Sequence, residues 1–204
     1  MKAAILVDEI NAVKQLHEIG IQGIRPWVQF YRAIHTVLRK DFGQADVGYH
    51  FYGSLPPKDV AGSKYFDRKR FFQALERDGI QVHQGICISD RTGNLMEKGV
   101  DMSIGLDLFE FSLNEFDLLF VFSGDTDLVP AIQRAKLRSK VVAVVSRLQP
   151  ARLFKEMADG ILFLEDVIGL IGKEHLIPRK QNNPLKERVN HVQHNHRNQP
   201  ERIA

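Results

Sequence analysis

Short apolar runs, separated by longer stretches with helical spacing, divide the chain into a repeating strand-and-helix order. Residues 2–7, KAAILV, are apolar after Lys2 without alternation, as expected of a strand covered on both faces, and the run stops at Asp8. A short mixed segment follows and ends at Gly20. Over residues 26–40 the positions Trp27, Phe30, Tyr31, Ile34, Val37 and Leu38 recur at three- and four-residue spacing. This predicts a helix with Pro26 in its first turn and Gly43 past its end. Residues 46–52 alternate enough for a second strand, with a loop over 53–57. Ser63 is placed to cap a helix that runs to Asp78 and is closed by Gly79.

The second half repeats the rhythm. A third strand is expected over 80–88, a loop or hairpin edge over 89–99, and a helix over 101–111. A fourth strand, 116–122, is followed by a helix over 128–138, and a fifth strand, 140–145, by a helix near 150–158. A last short strand is expected over 161–164. Strands that alternate with helices in this way predict an α/β protein of three layers, a mostly parallel sheet covered by helices on both faces. Past Gly172 the sequence turns polar and rich in His, Asn and Gln. The reading is one domain over 1–170 and a mobile basic tail over 171–204.

Composition narrows the function classes without choosing one. The 204 residues suffice for one domain with a sizeable core, and no apolar run approaches the roughly 20 residues of a membrane span. The first apolar run is too short for a signal peptide, so the expected location is the cytoplasm. One cysteine, Cys87, permits neither an internal disulfide nor a cysteine-rich zinc site, and a small buried hydrophobe is its ordinary role. The tail histidines His191, His194 and His196 match no closed metal site. The net charge of +3 favours contact with a polyanion, although much of the surplus sits in the tail, at residues such as Arg179, Lys180, Lys186 and Arg188.

The candidate chemistry lies at strand ends. The first strand delivers Asp8, Glu9 and Asn11, and the run FVFSGDTD delivers Ser123, Gly124, Asp125, Thr126 and Asp127. Carboxyl ends of parallel strands converge on the ligand crevice of an open α/β sheet. Carboxylates gathered there repel one another unless a cation compensates them, and a hard divalent ion, Mg²⁺ or Mn²⁺, suits oxygen donors. Each residue has a plainer alternative. A solvated strand end accounts for Asp8, a helix cap for Asn11 or for Asp127 with Thr126, and extended geometry turns Glu9 away from Asp8. A third element, Lys98–Gly99–Val100–Asp101, places an acid at a helix start, with Asp107 about 240° further round an ideal helix. The expected cluster is Asp8, Asp101 and Asp125, with Asp127, Asp107 and Glu9 behind them. Such a cluster holds a cation that activates water and orients a phosphodiester. Neither GxxxxGK[ST] nor GxGxxG occurs, which removes the usual support for ATP or dinucleotide binding.

In order along the chain, the Asp8-to-Asn11 pattern, KGVD with Asp107 after it, and SGD-x-D followed by Pro130 resemble the NYN family of PIN-like ribonucleases, in particular its LabA-like branch. The resemblance spans residues 2–165. It implies a PIN-like sheet of strand order 3-2-1-4-5 and metal-dependent endonucleolytic cleavage of RNA. It further implies an acidic site in which Asp8, Asp101, Asp125, Asp127 and Asn11 act in catalysis, with Asp107 added as a metal ligand. Leu128 stands where an aromatic residue is frequent, and Thr126 where serine is common; neither change removes a carboxylate. Expected substrate contacts are Asn11, Lys98, Ser123, Thr126, Arg25, Lys64, Arg68 and Arg134, with Trp27, Arg138 and Arg147 as further candidates.

Two other readings remain open at this level. A Toprim-type metal-dependent enzyme also joins an acid at one strand end to an Asp-x-Asp at another, and would need Glu9 as its catalytic glutamate. An RNA-binding or regulatory adaptor would keep the PIN-like fold with weak catalysis. A homodimer and a regulatory partner protein are carried as partner expectations beside RNA itself.

Overall fold

Every strand of the main sheet that carries a proposed acid is buried in the middle of the molecule, and burial of a strand on both faces explains its unbroken apolar sequence. The structure, a computed structural model, describes residues 1–89 and 95–180. The loop expected around Asp90, Gly93 and Asn94, and the tail beyond Lys180 with its three histidines, lie outside the described residues.

In chain order the elements are β1 (Lys2–Asp8), α1 (Glu9–Glu18), β2 (Ile21–Ile24), α2 (Val28–Phe42), β3 (Asp46–Leu55), α3 (Lys58–Ala61) and α4 (Ser63–Arg77). They continue with β4 (Gln81–Ser89), β5 (Leu95–Lys98), α5 (Val100–Leu113), β6 (Leu118–Phe122), α6 (Val129–Ala135) and β7 (Lys140–Val145). The last are α7 (Arg152–Met157), β8 (Gly160–Phe163), α8 (Leu164–Ile168) and β9 (Leu176–Pro178). The main sheet has seven strands in the order β5-β4-β3-β1-β6-β7-β8, larger than the five-stranded sheet the resemblance implied. It is parallel except for β5, which runs antiparallel to β4 at one edge.

Alternate residues of β1 build the two faces. Ala3, Ile5 and Val7 pack with Leu16 of α1, Phe30 and Ile34 of α2, Phe72 of α4 and Leu164 of α8. Ala4 and Leu6 point the other way, toward Ile104 and Leu108 of α5, Ile132 of α6 and Phe154 of α7. These two clusters make the three-layer α/β/α architecture. Successive connections leave β1 first toward β3 and β4 and then, on the other side, toward β6, β7 and β8. The order therefore reverses between β1 and β6, the position at which an open α/β sheet forms its crevice.

The structure departs from the sequence reading at three places. Strand β3 continues through Gly53 and Ser54 to Leu55, because parallel pairing with β4 extends to Leu55↔Ile86 and overrides the turn signal of the glycine. Strand β2 and strand β9 form a separate antiparallel pair, so chain order persists past 170 to Pro178. Helix α2 starts at Val28, two residues after Pro26. Among the described residues, no helix is long and apolar enough to cross a membrane.

Candidate functional site

Where β1 and β6 end side by side, their first polar residues meet. Asp8 is almost fully buried and Ser123 fully so. The Ser123 hydroxyl donates to Asp8 Oδ2 at 2.8 Å, and the Asn11 side-chain amide donates to the same oxygen at 2.8 Å. Asp8 also caps α1, its Oδ1 accepting from the Asn11 backbone N–H at 3.3 Å, so the capping role expected of Asn11 belongs to Asp8. Burial pushes the Asp8 carboxyl above its usual range; the bonds from Ser123 and Asn11 oppose the rise and the charge of Asp101 adds to it.

The β6 side of the crevice is built by the SGDTD turn. Asp125 Oδ1 accepts from the Asp127 N–H at 2.9 Å and so caps the 3-10 turn Thr126–Leu128; the cap is Asp125, where Asp127 was the expected one. Ser123 Oγ also accepts from the Asp125 N–H at 3.1 Å, tying the turn back to Asp8. Asp127 and Thr126 are exposed. A Cβ on Gly124 would lie 2.7 Å from the Gln149 side-chain amide, so the bare backbone here lets Gln149 pack against the turn.

The third wall is the β5-to-α5 junction. Gly99 has φ of 81°, a left-handed conformation that glycine adopts without strain, and it turns the chain so that Asp101 lies in the first turn of α5. A Cβ on Gly85 of β4 would come within 2.5 Å of Val100 Cγ2 and 3.0 Å of the Lys98 carbonyl oxygen. Bare backbone at Gly85 is thus what lets the junction lie against the sheet. Gly85→Ala is expected to push the β5-to-α5 junction off the sheet and to cost roughly 1–3 kcal/mol of folding stability through overpacking. Urea denaturation checks this, and a fully stable variant would refute the close-packing role of the glycine.

Asp8, Asp101 and Asp125 line one cavity of about 360 Å³ together with Asn11, Glu97 and Lys98. Partial burial raises the Asp101 carboxyl above its usual range, and the charges of Asp125 and Asp127 raise it further. Glu97, which the sequence reading passed over, borders the same cavity; burial raises it most, the charges of Glu9 and Asp8 add to this, and a hydrogen bond with Ser54 opposes it. Its only sequence signal is a carboxylate just before KGVD. Among the described residues, no three His, Cys, Asp or Glu side chains converge closely enough to hold a metal ion. The donor chemistry suits a hard cation, but the acids do not form a closed cage, and Asp8 already spends acceptor positions on Asn11 and Ser123.

Several candidates lie elsewhere. Asp107 turns to the sheet, where its Oδ2 accepts from the Tyr52 hydroxyl at 2.7 Å and lies 3.1 Å from His83 Nδ1. His83 Nε2 is in turn 3.1 Å from Nδ1 of buried His50. Glu9 forms a two-armed ion pair with Arg68 away from the acidic cavity, which leaves the glutamate required by a Toprim-type site engaged elsewhere. Ser123 is fully buried, with no surface for a substrate to touch, and Trp27 is packed against Phe30 and Phe51. Arg147 is paired with Asp166 at 2.7 Å. Arg25 borders a different hollow beside Trp27, Asp67 and Arg70, while Lys64 and Arg134 are exposed on α4 and α6 outside the crevice lining.

The His50 site gives the fold an acid sensitivity. Burial, and then the neighbouring His83, lower its pKa from 6.5 to about 4. Between those values the unfolded chain binds a proton that the folded chain does not, so the contribution is intact above pH 6.5 and is lost as pH falls toward 4. The expected loss is on the order of 3 kcal/mol. Urea unfolding at pH 7 and pH 4 with wild type and His50→Gln reads it, and an equal pH dependence in both proteins would refute the assignment.

Comparison with known proteins places the chain. The family model described as NYN domain matches residues 2–165. No curated protein matches the sequence. Among solved structures, the crystal structure of a protein of unknown function, VPA0982, from Vibrio parahaemolyticus superposes with a TM-score of 0.60 at 21% identity, covering 86% of this chain and 96% of that one. At that identity the likeness concerns the fold.

Proposed function

The chain belongs to the NYN domain family, with its PIN-like fold, and from that premise we propose that it binds RNA at the acidic crevice and cleaves it only with a divalent cation that the RNA phosphate helps to hold. The observation that carries this is the cavity shared by Asp8, Asp101 and Asp125, with Lys98 at its edge. Phosphate oxygens of a substrate would complete the donor set. Within the family we assign the chain to the LabA-like branch, and its PIN-like strand order and cytoplasmic location are part of the same reading.

When bound, Mg²⁺ or Mn²⁺ would supply an activated water and neutralise charge on the phosphodiester. Asp101 and Asp125 are the carboxylates open to such an ion. Asp8 is held in one orientation by Ser123 and Asn11, so it offers a fixed negative pole behind them. Asp125 is oriented by the Asp127 N–H, and Lys98 places a cation at the cavity edge where a phosphate would enter.

Binding without appreciable turnover is the second reading, and the absence of a preformed three-acid metal set among the described residues favours it. One experiment separates the two. Wild type and Asp125→Asn are incubated with cellular RNA and with single-stranded DNA in Mn²⁺, Mg²⁺ or EDTA. Metal-dependent RNA cleavage that Asp125→Asn lacks supports the nuclease reading. Intact RNA in every lane, with RNA still bound, supports the adaptor. No binding at all would sink both.

A further inference from the structure

The acidic crevice has a neighbour. A second cavity of about 660 Å³ opens on the far side of Ile10 and Glu97, which border both hollows. Ile10, Val13, Lys14 and His17 supply one wall, since their three- and four-residue spacing puts them on one face of α1. Leu95 and Cys87, from the edge pair β5 and β4, supply another. Ile10 is 57% exposed and Leu95 43% exposed, so apolar surface stands open to whatever enters.

The polar part of this cavity is held rigid. Arg68 grips Glu9 with two arms, its Nε donates to the Ser54 carbonyl at 3.1 Å, and its guanidinium lies 4.5 Å from the Phe72 ring centroid. A Cβ on Gly53 would collide with the Glu9 carboxylate, so the glycine is what makes room for the pair. Lys14 and Arg179 add positive charge to the lining, and Arg179 is anchored by donating to the His17 carbonyl at 3.1 Å. Apolar walls with a few fixed polar groups are the composition of a site for a flat organic group.

We propose that this cavity is a nucleotide subsite, receiving the base of the RNA residue next to the phosphate in the acidic crevice, with guanine preferred. The proposal rests on the RNA-binding reading above and deepens it. Ile10 and Leu95 would cover the ring faces, as aromatic or apolar side chains do for bases turned out into a pocket. Glu97 stands between the two hollows and presents only acceptors when ionised, which matches the adjacent N1–H and N2–H donors of guanine and opposes the carbonyl-rich edge of uracil. Lys14 and Arg179 would take the flanking phosphates.

The test measures equilibrium binding in Ca²⁺ of RNA trinucleotides with central guanine or central uracil, and of guanosine monophosphate alone. The proteins are wild type, Val13→Trp, which fills the cavity, Lys14→Glu on its open rim, and Glu97→Gln. The expected result is guanine-trinucleotide binding that Val13→Trp and Lys14→Glu each weaken about tenfold, and a guanine-over-uracil preference that Glu97→Gln reduces about fivefold. Equal binding of both trinucleotides by wild type and Val13→Trp would overturn the subsite while leaving the RNA-binding reading standing. Absence of trinucleotide binding in every protein would remove both. A monophosphate that binds as tightly as the trinucleotide would overturn the RNA assignment in favour of a free nucleotide ligand.

Discussion

Asp101→Asn is expected to lower metal-dependent RNA cleavage by roughly two to three orders of magnitude and to leave the unfolding midpoint unchanged or higher. On the proposed nuclease reading Asp101 steadies the cation, and loss of such a carboxylate forfeits several kcal/mol of transition-state stabilisation, each 1.36 kcal/mol being about a factor of ten in rate. Stability moves the other way. Asp101 is held above its ordinary range by partial burial and by Asp125 and Asp127, so its negative charge opposes folding at neutral pH. A group shifted in this direction favours folding below its unfolded pKa, and that benefit disappears as pH rises through the folded value. The asparagine removes the repulsion. Initial cleavage rates in Mn²⁺ and a thermal melt at pH 7 measure both halves, and a variant that cleaves normally, or melts several degrees early, would contradict the assignment.

Asp107→Ala is expected to produce the opposite profile, a loss on the order of 3 kcal/mol in folding stability with no direct effect at the crevice. The carboxylate is the acceptor for the buried Tyr52 hydroxyl and the partner of His83, and the substitution leaves both without it. Stranding the fully buried Tyr52 hydroxyl accounts for most of the loss, since an unpaired buried polar group costs roughly 1–3 kcal/mol, and half-buried His83 adds the rest. Asp107→Asn, which keeps an acceptor for Tyr52, is expected to lose less. Urea denaturation ranks the three proteins, and cleavage is compared at a temperature where all are folded. Intact stability with lost metal dependence would return Asp107 to the ligand set that the family resemblance implied.

The acids of the crevice were legible because strand ends are legible. AAILV stopping at Asp8 and FVF stopping at Ser123 are local signals, and parallel topology carries such ends to one edge of the sheet. Local pattern was silent on which acid does what within a turn. Asp125 and Asp127 differ by two residues, and the sequence alone offered Asp127 as the cap; the folded turn gives the role to Asp125. Glu97 was missed because an edge strand of four residues carries too little alternation to show which way a side chain faces. The Asp107 network was beyond any window of sequence, since Tyr52 and His83 meet only through the register of β3 on β4, and Asp107 joins them from α5.

By itself the sequence determined the alternation of strands and helices, the burial of β1 and β6 and the placement of Asp8 and Ser123 at strand ends, because hydrophobic period, glycine punctuation and strand-end polarity are written within a few residues. Tertiary structure alone decided the seven-stranded order, the pairing of β2 with β9, the withdrawal of Glu9 into its pair with Arg68, and the second cavity beside Glu97. Those features depend on contacts between residues far apart in the chain, whose register and facing direction are set by the packing of whole elements and by no local preference.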